Sequence, residues 1–193
     1  MLDTIDDTAC RDVLDRLEIA GIDVAVWDVT TDVGVPSFYC LITERDGPDG
    51  HIGAGAGCHP SRSVALLRAL TEAAQTRMTY ISGSRDDLSP EEFTEGGVGE
   101  KLDSARDLIG YQRPIGDFRQ IPTLSADTFA DDLAWLIDRL STIGIEQVVA
   151  IDLTRPEIGI PVVRAVIPGL EAPHDDDDYL PGARAAAAME GRL

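Results

Sequence analysis

Apolar positions along the chain follow a helical spacing and then an alternating one, and this succession occurs twice. Gly21 and Gly144 follow the two helical stretches as stop signals. Each block therefore predicts a helix, a strand, a turn and a second strand. The expected helices cover residues 8–20 and 129–140, and the expected strands cover 22–27, 35–42, 147–151 and 162–167.

The two blocks can be aligned, LDRLEIAGIDVAVWDVTTDVGVPSFYCLI against IDRLSTIGIEQVVAIDLTRPEIGIPVVRAVI. They share (Leu or Ile)-Asp-Arg-Leu, Gly-Ile, Asp-x-Thr and Gly-x-Pro elements with two one-residue offsets, which indicates an internal duplication. Each Gly-x-Pro is expected to fix the backbone that enters a second strand. Asp28 with Thr30, and Asp152 with Thr154, are expected to cap turns rather than to catalyse a reaction.

The copies are separated by a long helix expected over 61–81 and by a polar stretch over 82–122. We expect this stretch to be mostly loop, with short helices near 90–94 and 100–108. Asp175–Asp178 are four adjacent carboxylates, which are typical of solvated chain rather than of a metal site. The predicted fold is α+β, a single domain of duplicated helix-strand-turn-strand units with a mixed, mainly antiparallel sheet and packed helices.

Charge narrows the classes of function. The 193 residues contain 16 Lys and Arg against 35 Asp and Glu, a formal net charge of −19, so binding to nucleic acid or to an anionic membrane is not expected. The chain has no apolar run of the roughly 18 residues that a membrane helix needs, and its first residues do not resemble a signal peptide. We therefore expect a cytoplasmic protein. Fifteen Arg against one Lys, with many Asp, fits either a high-salt cytoplasm or a GC-rich genome.

The cysteines give little reason to expect a disulfide framework or a zinc site. Cys10, Cys40 and Cys58 are odd in number, widely spaced and without a CxxC motif. Cys58 is followed by His59, but adjacent side chains seldom face each other and no orienting third residue can be named. A structural turn is the favoured interpretation. Likewise, no His and carboxylate cluster has the spacing of a metal-dependent hydrolase.

The segment with the most features that could serve a chemical role is the glycine-rich GAGAG, which precedes the long helix. Unpaired N–H groups at a helix amino end attract anions, but this spacing fits neither a Rossmann fingerprint nor a P-loop. A tight turn that packs a strand against a helix is favoured. On the helix, a narrow polar stripe lies among Ala, Leu, Val and Met. Because buried polar side chains need partners, the stripe is either exposed to solvent, held by an Arg–Glu ion pair, or in contact with a polar ligand. This stripe consists of Ser61, Arg68, Glu72, Gln75 and Thr79, and Arg77 lies on the opposite side.

The stretch GAGCHPSRSVALLRALTEAAQTRMTYISGSRDD resembles the carboxyl half of the YcaO family, especially its TfuA-associated members. The segments DVTTDVGVPSFYC, DLTRPEIGIPVVRAVIPGLE and PGARA are also similar to that family. This resemblance implies a YcaO-like domain over 1–171, the carboxyl half of the full family domain, followed by an acidic and Ala-rich tail over 172–193. It also implies use of ATP and Mg²⁺ to phosphorylate a peptide-backbone amide oxygen, which leads to azolines or thioamides.

By that resemblance, Arg68, Glu72 and Gln75 would face the nucleotide, Arg68 is the best phosphate ligand and Arg77 a secondary one. The family's main nucleotide and magnesium signature, similar to Asn-Thr, Glu-Ala and Ala-Leu-x-Glu-x-x-Glu-Arg, lies upstream of the matched region. The expected partners are therefore a peptide or protein substrate and a TfuA-like protein or a separate YcaO amino half, and homo-oligomers stay open. No metal ligand or catalytic residue is assigned. The absence of a proline-rich end favours thioamide formation, and the alternative is a non-catalytic YcaO remnant or a peptide-binding module.

Overall fold

The computed structural model describes residues 1–45, 51–83, 105–110, 116–171 and 179–191. It forms two compact units, 1–127 and 128–193. The fold is α+β with antiparallel sheets and packed helices, as predicted. The first unit contains α1 (Thr8–Ile19), β1 (Ile22–Asp28), β2 (Ser37–Glu44), β3 (Gly53–Cys58) and α2 (Arg62–Ser82), and the second contains α3 (Phe129–Thr142), β4 (Val149–Asp152), β5 (Val163–Val166) and α4 (Ala183–Met189).

The core of the first unit lies between a three-stranded sheet and its helices. The strand order is β1-β2-β3 and both pairings are antiparallel, so β2 is the central strand. Phe38 of β2 and Leu66 and Leu70 of α2 are fully buried there. The ring of Phe38 also packs on that of Phe118, with 5.9 Å between the centroids. Burial of these side chains is the main source of stability for this unit.

The duplication is confirmed at the level of single hydrogen bonds. In the first copy, Asp28 Oδ1 accepts from Thr30 N at 2.9 Å, and Thr30 Oγ1 accepts from Ser37 N at 3.1 Å. These bonds cap the turn between β1 and β2, as the Asp-x-Thr pattern predicts. The second copy makes the same two bonds, from Thr154 N to Asp152 Oδ1 at 2.8 Å and from Val162 N to Thr154 Oγ1 at 3.1 Å.

The main difference from the predicted elements concerns the glycine-rich segment. It forms strand β3, which pairs with β2, rather than a turn. Glycine has a low strand propensity, so the local pattern predicted a turn that the pairing with β2 overrides. Residues 105–110 are helical, in keeping with the short helix expected near 100–108. The helix expected near 90–94 and Asp175–Asp178 lie outside the described residues.

Asp7 is the N-cap of α1, and its removal is expected to destabilise the protein in a pH-dependent way. Its carboxylate accepts a hydrogen bond from Cys10 N at 3.0 Å, and this bond lowers the pKa of Asp7 below its ordinary value of 3.8. Because the carboxylate is favoured in the folded state, its stabilisation is present above pH 3.8 and is lost as the pH falls through the lowered pKa. We expect Asp7→Ala to lower the free energy of unfolding by about 1 kcal/mol at pH 7.

Urea unfolding at pH 7 and below pH 3.8 measures this effect. The difference between wild type and Asp7→Ala should shrink at the lower pH. Asp12→Ala is the matched control, because Asp12 is an exposed carboxylate on the same helix. An Asp7→Ala cost that stays constant with pH would contradict the assigned capping role.

Candidate functional site

The alternate glycines of β3 allow α2 to pack directly on the strand backbone. A Cβ atom added at Gly55 would lie 2.3 Å from the carbonyl oxygen of Ala69, and one at Gly57 would lie 2.0 Å from that of Ala65. Only a residue without a side chain permits this approach. In the ladder, Gly55 stands opposite Cys40 of β2. The predicted packing of strand against helix is thus confirmed, and the glycines belong to a sheet rather than to a phosphate-binding loop.

Arg68 and Glu72 reach from α2 to the outer edge of β3, and both side chains are exposed. The Glu72 Oε2 atom accepts a hydrogen bond from Ala56 N at 2.6 Å. One terminal nitrogen of Arg68 donates to the carbonyl oxygen of Cys58 at 3.3 Å. Of the interpretations left open by the sequence, the structure favours a solvated face whose charges bind the strand. A single long bond leaves most guanidinium donors of Arg68 available to another acceptor.

The predicted site residues fall into two separate places. Arg68, Glu72 and Gln75 lie together on the exposed face of α2. Arg77 lies on the other side of the helix, where its side chain is only 16% exposed and forms an ion pair with Glu44 of β2. The buried Nε atom of Arg77 has no hydrogen-bond partner among the described residues. The outward-facing group of three is therefore the candidate site, and Arg77 stands apart from it.

Cys58 is the last residue of strand β3 and His59 follows it outside any turn, so the expected turn is wrong, although both residues have structural surroundings. The imidazole Nδ1 of His59 accepts from Ser61 N at 3.0 Å, and its backbone N–H donates to Pro36 O at 3.1 Å. All three cysteines are free thiols. Burial raises the pKa of Cys10 and that of Cys40 to about 12, so neither buried thiol is suited to act as a nucleophile near neutral pH.

Arg62 has a role that the sequence pattern did not reveal. Its guanidinium donates to the carbonyl oxygens of Arg119 at 2.9 Å and Ile121 at 3.1 Å, and it lies over the Phe118 ring at 5.1 Å from the centroid. These contacts tie the amino end of α2 to a segment more than fifty residues away. Periodicity within a helix carries no information about such a distant contact. Arg62 therefore positions α2, and one of its terminal nitrogens makes both hydrogen bonds.

The candidate site has side chains suited to bind the phosphate groups of a magnesium nucleotide, but it lacks a set of ligands for the magnesium ion. The exposed guanidinium of Arg68 and amide of Gln75 are donors of the kind that bind phosphoryl oxygens. In the part of the chain that the structure describes, no three His, Cys, Asp or Glu residues lie close enough to hold a metal ion. Mg²⁺ requires oxygen ligands, often carboxylates. Within the same ranges, no helix is long and apolar enough to cross a membrane.

Comparisons with known proteins place these features in a family. Residues 1–171 match the model of the YcaO cyclodehydratase family, described as ATP- and Mg²⁺-binding. An uncharacterized protein encoded in the region 3′ of tfuA in Rhizobium leguminosarum bv. trifolii is 34% identical over 183 residues. The match covers 92% of this chain and 43% of that relative, so the chain spans less than half of the relative's length.

Solved structures share the architecture. The heterocyclase TruD superposes with a TM-score of 0.69 at 26% identity, covering 89% of this chain and 23% of TruD. A YcaO protein from Methanopyrus kandleri, solved with AMPPCP and Mg²⁺, superposes with a TM-score of 0.62 at 21% identity, covering 84% of this chain and 43% of that one. The second comparison concerns the fold alone.

Proposed function

Because the chain belongs to the YcaO family, we propose that it contributes to ATP-dependent activation of a peptide-backbone amide, in an enzyme completed by a second polypeptide. The observation that carries the proposal is the exposed group of Arg68, Glu72 and Gln75 on α2, in a chain that matches the family over residues 1–171. A reaction that consumes ATP also fits the expected cytoplasmic location.

The proposed reaction turns an amide oxygen into a leaving group. A nucleophile attacks the carbonyl carbon, the γ-phosphoryl group of ATP is transferred to the oxygen, and phosphate then leaves. A neighbouring side-chain nucleophile gives an azoline with net loss of water, whereas an external sulfur donor gives a thioamide. The likeness to a protein encoded in the region 3′ of tfuA supports the thioamide.

In this proposal, Arg68 binds the transferred phosphoryl group, because positive charge offsets the charge that develops there. Its bond to Cys58 O is long and solvent-exposed, so a phosphate oxygen competes for the same donors at low cost. Gln75 adds an amide donor on the same face, and Glu72 holds Ala56 and so fixes that face relative to β3. Arg77 is a secondary candidate, since its ion pair with Glu44 would first have to open.

The magnesium ion supplies electrostatic stabilisation of the triphosphate, and we assign its ligands to the partner. Arg68 and Gln75 supply no carboxylate oxygen, and no three His, Cys, Asp or Glu residues in the described ranges lie close enough together to hold a metal ion. The partner is a separate YcaO amino half or a TfuA-like protein, and the substrate is a peptide or protein. Support comes from the relative's place in the region 3′ of tfuA.

The alternative is a non-catalytic remnant or a peptide-binding module that keeps the duplicated fold. The observation that favours this alternative is that no three His, Cys, Asp or Glu residues among those described are placed to hold a metal ion. In that case no partner would restore ATP hydrolysis.

Phosphate release from Mg-ATP, measured with and without the partner, separates these functions. We expect the isolated chain to show no release above background and the assembled complex to hydrolyse ATP when a peptide substrate is present. The same samples should contain peptide whose mass has changed by loss of water or by exchange of oxygen for sulfur. Hydrolysis that never appears, whichever partner is added, would contradict the proposal and favour the remnant.

A further inference from the structure

The backbone groups at the outer edge of β3 point away from the sheet. Ala56 N donates to Glu72 of α2 rather than to β2, so Ala56 faces outwards. The direction of the backbone groups alternates along an antiparallel strand, so Ala54 and Cys58, two residues away on either side, face the same way. The bond from Arg68 to Cys58 O agrees with this direction. Among the described strands, β3 pairs with β2 alone, so this edge ends the sheet.

Two side chains of α2 contact this edge in the manner of a further strand. The Glu72 carboxylate accepts from Ala56 N, as a strand carbonyl would, and the Arg68 guanidinium donates to Cys58 O, as a strand N–H would. Within the described ranges, no partner binds either backbone group of Ala54, the Ala56 carbonyl or the Cys58 N–H. Ala56 and Cys58 are exposed. An accessible strand edge of this kind is a template for an extended chain.

Helix α2 lies along the same edge and makes it one side of a groove. The close packing of α2 on Gly55 and Gly57 keeps the helix directly over β3. Arg68 and Glu72 therefore reach the strand backbone from the helix. A peptide that pairs with β3 would have this polar helix face on one side. Domains that bind peptides by strand addition use an exposed sheet edge in the same way.

The opposite side of the sheet offers an aromatic contact. Trp27 of β1 stands opposite Tyr39 of β2, and Tyr39 stands opposite Ala56 of β3. The rings of Trp27 and Tyr39 lie 6.1 Å apart between centroids, and Tyr39 is 38% exposed. Because Ala56 is small, an aromatic side chain opposite it on an added strand would lie across it towards the Tyr39 ring.

The length of the edge and the charge of the chain favour a peptide over a second copy of the protein. Strand β3 has 6 residues, Gly53–Cys58. A contact along so short a strand falls below the roughly 800 Å² per partner that a stable protein interface buries. The formal net charge of −19 opposes pairing of two copies and attracts a basic peptide.

We propose that an extended, basic segment of the peptide substrate binds as an antiparallel fourth strand at the outer edge of β3. One of its carbonyl groups replaces the Glu72 carboxylate at Ala56 N–H. The inference rests on the proposed function and names its peptide-binding surface. It puts the peptide backbone beside Arg68, to which the proposed function assigns the transferred phosphoryl group.

An NMR titration of the isotope-labelled 193-residue chain, without ATP, tests this binding with the synthetic peptide acetyl-Arg-Val-Thr-Phe-Thr-Val-Arg-amide. We expect the amide signals of Ala56 and Cys58 to shift, whereas that of Val24 in β1 stays in place. Methylation of the Phe nitrogen, which faces β3 when Phe lies opposite Ala56, should weaken binding at least about tenfold. Methylation of the following Thr nitrogen, which faces solvent, is the matched control and should leave the affinity unchanged.

Two variants of the protein test the roles of the edge groups. Glu72→Ala should tighten peptide binding about threefold, because the carboxylate no longer competes for Ala56 N–H. A Glu72 that only stabilised the fold would not have this effect. Ala56→Pro should weaken binding at least about tenfold, because it removes the outward N–H, which takes no part in pairing with β2. Asp12→Ala removes an exposed carboxylate from α1 and should bind like wild type.

Several outcomes would overturn the proposal: no binding, equal binding of the two methylated peptides, weaker binding by Glu72→Ala, or wild-type binding by a folded Ala56→Pro. If Ala56→Pro does not fold, the methylated peptides and Glu72→Ala decide. An Ala56 signal that shifts when the chain alone is concentrated would assign the edge to a second copy and also overturn it. Peptide binding at β3 without ATP hydrolysis in any complex would refute the proposed function alone. Hydrolysis with unshifted Ala56 and Cys58 signals would refute the peptide site alone.

Discussion

Gly57→Ala is expected to lower the free energy of unfolding by about 3 kcal/mol. The new Cβ atom would lie 2.0 Å from the carbonyl oxygen of Ala65 and 2.8 Å from the backbone nitrogen of Ala69. Both are backbone atoms, so no side-chain rotation relieves the overlap. Strand β3 and helix α2 would have to separate, and the packing around the buried Leu66 would loosen. Urea unfolding followed by circular dichroism measures this loss.

Gly116→Ala is the matched control for this prediction. A Cβ atom at Gly116 meets nothing within 4 Å, so this variant should unfold within about 0.5 kcal/mol of wild type. A Gly57→Ala protein as stable as Gly116→Ala would show that α2 does not pack directly on β3.

Arg68→Ala is expected to reduce ATP hydrolysis by the assembled complex at least about 100-fold, to background in the assay, while the complex stays intact. The reason is the loss of the positive charge that the proposal places at the transferred phosphoryl group. The Arg68 side chain is exposed and makes one long bond, to Cys58 O, so its removal should leave the fold unchanged. Phosphate release and native mass, measured on the same sample, separate these two effects.

Arg16→Ala provides the comparison, because Arg16 is an exposed arginine on α1, away from the candidate site. It removes the same formal charge and should keep wild-type turnover. An Arg68→Ala complex that hydrolyses ATP at the wild-type rate would remove Arg68 from the proposed phosphate site. Arg68→Lys should retain part of the activity, since it keeps the charge without the planar guanidinium.

Local signals explain why much of the fold could be predicted from the sequence. Asp28 and Thr30 close their turn through residues that are near in sequence, and the second copy repeats the same short-range bonds. Strand β3 could not be predicted in this way. Its glycines have no strand preference of their own, and the strand depends on pairing with β2 and on close packing of α2.

In the candidate site, too, features set by neighbouring residues could be predicted, whereas contacts with residues far away in the sequence could not. Helical periodicity placed Arg68, Glu72 and Gln75 on one face and Arg77 on the other, as the structure confirms. Periodicity could not reveal that Glu72 binds Ala56, because that contact depends on how β3 lies beneath α2. It also could not reveal the partner of Arg77, since Glu44 is 33 residues away.

The central claim is that this chain works as one part of an ATP-dependent enzyme whose remaining part is a second polypeptide. The most direct test is to purify the protein from its own cells, at their intracellular salt concentration, and to measure the intact mass of every chain that stays bound. We predict a second chain that carries the Asn, Glu and Glu-Arg nucleotide signature or that is TfuA-like. A lone 193-residue species, inert towards ATP and peptide, would contradict the account.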